Sequence, residues 1–130
     1  MKKKLKASIL ADEFQICRLP AGSRIPSEIW NASFCTVSKT VDEISIVVPT
    51  AQTVIDAQTE TGWRAIKILG PLDFNLNGVL ASVAAPLAKA GISVLAISTY
   101  ETDYLFVKNV NLKMALHLLS NIVKLTGSES

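Results

Sequence analysis

The 130-residue chain reads as an α+β protein, built from antiparallel sheets with helices covering them. Three observations predict this. Residues 34–47 and 94–107 align without a gap, each an apolar run, a polar turn and a second apolar run, so a hairpin is written twice, sixty positions apart. Val79, Leu80, Val83, Ala84, Leu87 and Ala88 recur at helical spacing, as do Leu112, Ala115, Leu116, Leu119 and Ile122. Proline and glycine clusters around Pro20–Pro26 and Gly70–Gly78 separate these segments.

Taken in order, Leu5–Leu10 alternates as a strand, with Phe14–Leu19 as its continuation or hairpin partner. Pro20, Gly22 and Pro26 leave room for only a short helix near Ser27–Trp30. Strands follow at Phe34–Lys39 and Ile44–Val48, and Pro49-Thr50 opens a helix expected over Ala51–Gln58. Trp63–Leu69 alternates as the next strand, and Asn75 and Asn77 suit the cap of the helix that starts near Val79. Gly91 stands where a left-handed helix terminus favours glycine. Ser93–Tyr100 and Tyr104–Lys108 form the second hairpin, the last helix follows, and Gly127–Ser130 reads as a frayed tail.

Each half thus has the order β-α-β-β-α, one strand short of the ferredoxin-like β-α-β-β-α-β unit, and Leu5–Leu10 is a candidate for a missing strand. The expected division is a degenerate N-terminal unit over 1–60 and a second unit over 61–130.

Composition narrows the function. Apolar residues make up 49% and charged residues 18%, below the roughly 25% charge of an average soluble protein, which predicts surface hidden in an additional interface. The apolar runs at Val79–Leu87 and Ile92–Ile97 fall short of the roughly 18 residues of a membrane helix. The net charge of +2 owes three positive charges to Lys2–Lys4, and no small-residue cleavage site follows that tip. The expectation is a cytoplasmic protein without membrane or nucleic-acid partners, in which Cys17 and Cys35 are buried free thiols.

Little in the chain speaks for catalysis. The single histidine, His117, lies in the last helix, no Cys/His spacing fits a metal, and neither a nucleophile elbow nor a phosphate loop is present. Neither a metal nor a cofactor is therefore expected. Binding has better support. The loop Gly70–Gly78, with Asp73, Phe74, Asn75, Leu76 and Asn77, precedes a helix whose free amides suit a carboxylate, and Gly78 lets a ligand approach the backbone. Asp103, acceptor-only when ionised, suits an ammonium group. Together they match the two ends of a zwitterion such as a free amino acid. An ordinary capped connection and a structural turn acid are the plainer readings of each feature alone.

Trp63–Phe74, Gly78–Ser82, Pro86–Ser93 and above all Ile97-Ser-Thr-Tyr-Glu-Thr-Asp-Tyr-Leu-Phe-Val107 resemble the ACT-domain proteins of the CASTOR type, small proteins with two tandem ACT-like units. The resemblance is strong over 61–124 and weak over 1–60. It implies a ferredoxin-like fold, sheets paired side by side and a regulatory amino-acid site at an interface between units; a homodimer formed through sheet or helix contacts is expected. On that likeness Gly70–Gly78 meets the ligand carboxylate, Thr102 and Asp103 meet its polar ends, and Ser38 lies on the facing unit. The first unit departs from the pattern: Pro20–Pro26 replaces the glycine-rich loop and Glu43 stands for Asp103, which puts a second site in question. The alternative is a structural interaction module with a vestigial ligand site.

Overall fold

The computed structural model describes residues 4–69 and 79–129. These form two compact units, one of residues 12–63 and one that combines the first eleven residues with 64–130. The α+β class is as expected.

In the unit 12–63, strand β1 (Leu5–Pro20) contributes its second half and pairs antiparallel with β3 (Glu43–Pro49), from Phe14 opposite Pro49 to Pro20 opposite Glu43. Strand β2 (Thr36–Lys39) pairs with the other edge of β3, giving the order β2-β3-β1. The alternation of β3 explains its placement. Ile44, Ile46 and Val48 turn into one core with Cys17, Leu19 and the plug Ile29, which a 3-10 turn (Ser27–Asn31) delivers. Phe14 stacks edge-on against Phe34 at 5.4 Å between ring centres.

The helix expected over 51–58 does not form. Residues 51–57 run as turns and irregular chain and Gln58 opens the next strand, with Thr50 N–H donating to the Glu13 carbonyl and Gln52 N–H to that of Pro49. The buried Gln15 amide donates to the carbonyls of Pro49 and Gln52, so the Gln52 carbonyl, which a helix would offer to the Asp56 N–H, is engaged from β1. Asp56 takes a left-handed conformation (φ 61°), which interrupts any helical path.

In the other unit the order is β5-β6-β4-β1-β7, from β4 (Gln58–Ile68), β5 (Val94–Ser98), β6 (Asp103–Lys108) and β7 (Val123–Glu129). Helices α1 (Val79–Lys89) and α2 (Leu112–Leu118) cover it through Val83, Leu87 and Ala115, which meet Ala7, Ile66, Ile68, Leu105 and Val107 in one core. Helix α1 ends as predicted. Gly91 has φ 79°, and its N–H and that of Ile92 return to the carbonyls of Ala88 and Leu87.

Two expectations need correction in this unit. The last helix stops at Leu118, four residues early, and residues 127–129 of the supposed tail belong to strand β7 (Val123–Glu129). Leu5 lies opposite Val123 and Ala7 opposite Leu125 in a parallel ladder, with a bulge between Ala7 and Ile9. The strand that the β-α-β-β-α order lacked is therefore supplied by the C-terminus, while Leu5–Ala11 inserts beside it as an additional strand.

The two cysteines are free, but they are not alike: Cys17 is fully buried and Cys35 only half-buried. Burial pushes the Cys17 thiol above its ordinary value, partly offset by a hydrogen bond from Thr59. A raised folded-state value means the folded protein keeps a proton that the unfolded chain releases. This contribution to stability is therefore present below the unfolded thiol's value and is lost as pH rises through the folded one. A disulfide-exchange reagent at pH 8 is expected to label Cys35 rapidly and Cys17 only at the rate of opening. Equal labelling of both in the native state would contradict that order.

Candidate functional site

The second hairpin is closed by a two-residue turn, Tyr100-Glu101, between Thr99 and Thr102. The Thr99 N–H donates to the Thr102 carbonyl at 2.8 Å, and the Thr99 hydroxyl donates to the same oxygen at 3.2 Å. The first hairpin repeats the device: the Thr40 N–H and hydroxyl donate to the Glu43 carbonyl at 3.0 and 3.3 Å. There the threonine oxygen also accepts from the Asp42 and Glu43 amides at 3.1 Å.

These bonds align the two hairpins by their turns, and the offset is 59 residues rather than 60. Thr40 matches Thr99 and Glu43 matches Thr102, so Asp103 falls opposite Ile44 in the comparison rather than Glu43. Ile44 is fully buried in its unit's core, whereas Asp103 is a half-buried carboxylate. The second hairpin thus carries an ionisable group at a position that its counterpart fills with an aliphatic side chain.

Asp103 is held from across the turn. It is the ladder partner of Ser98, whose hydroxyl donates to Asp103 Oδ1 at 2.5 Å. An ionised carboxylate offers about four lone-pair sites and donates nothing, so one bond to Ser98 orients it while keeping acceptor capacity for a cationic ligand. Residues Ser98 to Thr102 reach solvent to differing degrees, and Tyr100 at the tip is 85% exposed.

Of the residues predicted to bind, Thr102 and Asp103 are therefore adjacent on one ordered hairpin, with the Thr102 carbonyl committed to the turn. Ser98 was missed. Its signal was legible, because residues five apart across a two-residue turn are cross-strand partners. Ser38 lies in the unit 12–63, exposed on β2 opposite Ser45. Gly70, Asp73, Phe74, Asn75, Leu76, Asn77 and Gly78 lie outside the described residues. In the unit 12–63, the loop in place of the glycine-rich one borders an open cleft of about 590 Å³, lined by Arg24, Ile25, Pro26, Ser27, Glu28 and Ile55. Among the described residues no cluster of three or more His, Cys, Asp or Glu side chains is arranged to hold a metal, and no helix is long and apolar enough to cross a membrane.

Comparison with known proteins agrees with this fold. A family model described as the ACT domain matches residues 58–121, and a second, described as an N-terminal domain, matches 12–53. The cytosolic arginine sensor for mTORC1 subunit 1 of Pongo abelii is 30% identical over 111 residues, covering 74% of this chain and 34% of that protein. The chain spans about a third or less of the length of the curated relatives it matches. The crystal structure of protein Atu0741 from Agobacterium tumefaciens superposes with a TM-score of 0.90 at 31% identity, covering 99% of this chain and 97% of that one. The regulatory subunit of aspartate kinase from Thermus thermophilus shares the fold, with a TM-score of 0.65 at 11% identity over 89% of this chain and 95% of that one. The chain belongs to the ACT-domain family and is a protein of the CASTOR type.

Proposed function

We propose that this protein is a non-catalytic, cytoplasmic regulatory sensor that binds a free amino acid at an interface between ACT units. The observation that carries the reading is Asp103, a carboxylate oriented by Ser98 at a position where the other hairpin has the core residue Ile44. The relationship to a protein named as an arginine sensor supports the ligand class. In this reading residues 61–130 form the binding unit and 1–60 its degenerate companion, with the start of β1 lent to the former. Asp103 and Thr102 meet the ligand's ammonium end, the Gly70–Gly78 loop meets its carboxylate, Ser38 lies on the facing wall, and the working form is a homodimer.

Ligand at a hundredfold excess over its Kd stabilises the folded state by about 2.7 kcal/mol. A thermal-shift screen of the twenty amino acids at millimolar concentration, on protein refolded free of carried-over ligand, is expected to pick out one or a few of them. Asp103→Asn keeps the shape and removes the charge. A hydrogen bond to a charged group is worth about 1.5–3 kcal/mol, so its affinity by calorimetry should fall about 10- to 100-fold with an unchanged melting temperature in the absence of ligand. The absence of any shift with wild-type protein, or full affinity in Asp103→Asn, would overturn the reading.

A further inference from the structure

The unit 12–63 carries binding chemistry of its own, apart from the hairpin of Asp103. The turn that replaces the expected helix over 51–58 divides its apolar side chains. Val54 and Ala57 pack against the core around Ile29 and Ile46, whereas Ile55, between them in sequence, is 71% exposed. Ile55 lines the cleft of about 590 Å³ together with Arg24, Ile25, Pro26, Ser27 and Glu28. That volume falls within the roughly 300–1,000 Å³ usual for small-molecule sites.

The charges of this cleft are uncommitted. Arg24 and Glu28 stand four residues apart, a spacing at which opposite charges meet on a helix. Pro26 between them is extended instead, at φ −60° and ψ 127°. Among the described residues, Arg24, Ser27 and Glu28 make no side-chain hydrogen bond or ion pair, and all three are exposed. A cation and an anion therefore border one cleft without neutralising each other, beside the apolar surface of Ile25, Pro26 and Ile55.

We infer that this cleft is a second ligand site, which takes a small zwitterion with an aliphatic side chain. The planar guanidinium of Arg24 holds the ligand's carboxylate, and the Glu28 carboxylate accepts from its ammonium group. The Ser27 hydroxyl can donate to the one or accept from the other. Ile25, Pro26 and Ile55 cover the aliphatic side chain, and exposed Ile55 loses water contact when they do. A polyanion would be repelled by Glu28 and a polycation by Arg24, so the paired charges favour a zwitterion over either. The site is contained in the unit 12–63 and does not depend on Asp103.

Chemical-shift mapping of the full, isotope-labelled chain with L-leucine at millimolar concentration tests this. Amide shifts should move at residues 24–28 and 54–56. Isoamylamine, which lacks the carboxylate, and 4-methylpentanoate, which lacks the ammonium group, should each bind about tenfold more weakly or worse. Arg24→Gln and Glu28→Gln should each weaken leucine binding by about the same factor, and Ile55→Ser should weaken it too. All three side chains are exposed, so the melting temperature without ligand should stay as in the wild type. The absence of shifts at 24–28 and 54–56, shifts confined to residues 98–103, or equal binding of leucine and both analogues would overturn the inference. Undiminished binding in both Arg24→Gln and Glu28→Gln would overturn it as well.

Discussion

Removing residues 123–130 is expected to cost at least about 3 kcal/mol, a large share of the about 5–15 kcal/mol that holds a small protein folded. Val123 is buried in the helix-covered core, and β7 forms a ladder with the first half of β1 at Leu5, Lys6, Ala7, Ile9 and Leu10. Burial of a valine side chain contributes about 1.5–3 kcal/mol, and each backbone bond withdrawn from β1 adds about 1 kcal/mol. The truncated chain would also present an unpaired strand edge, which favours aggregation. Urea unfolding is the measurement. A frayed tail would leave the midpoint where it is, so an unchanged midpoint would refute the assignment of these residues to the sheet.

Leu87→Ala should be as damaging, at about 2–5 kcal/mol. Leu87 and Val83, one turn apart on α1, are both fully buried against the sheet. The helix has eleven residues and contains Pro86, whose missing N–H breaks the bond expected to the Ser82 carbonyl. So short a helix is marginal by itself and exists because its apolar face is packed. The melting temperature should therefore fall by about 6 °C or more, at about 3–5 °C per kcal/mol for a chain of this length. Leu87→Met, nearly equal in volume, should lose less than about 1.5 kcal/mol. Similar losses for both variants would show that the helix, and not the filled volume, is at issue.

Much of this protein was legible residue by residue. The period of 3.6 at Val79–Leu87, the alternation of Ile44–Val48 and Tyr104–Lys108, and Gly91 after the helix each report a local preference that the tertiary fold satisfies. The hairpin holding Asp103 was equally legible, because turn residues and flanking strands are neighbours in sequence. Where the reading failed, a distant partner decided. Gln15 takes the Gln52 carbonyl that a helix after Pro49 would have used, and β1 gives Val123–Glu129 a ladder. The equivalence of Glu43 with Asp103 failed for a subtler reason. A gap-free alignment cannot detect that the two turns are offset by one residue, and in a sheet one residue exchanges the two faces.

The candidate site divides in the same way. The choice of Asp103 came from its chemistry, an acid beside a turn. Its orientation came from Ser98 across the ladder, and its distinction from Ile44 emerged only when the hairpins were matched by their hydrogen bonds. The make-up of the second unit is likewise a property of the fold, since residues 4–11 and 64–129 become one unit only when β1 runs beside β4 and β7. By itself the sequence determined the fold class, the helices of the second half, both hairpins and the family, because these rest on short-range periodicity and turn chemistry. Only the tertiary structure decided the final strand, the register that sets Asp103 apart and the joining of the N-terminal strand to the C-terminal unit. Each of those depends on pairing between segments far apart in the chain, where no local preference operates.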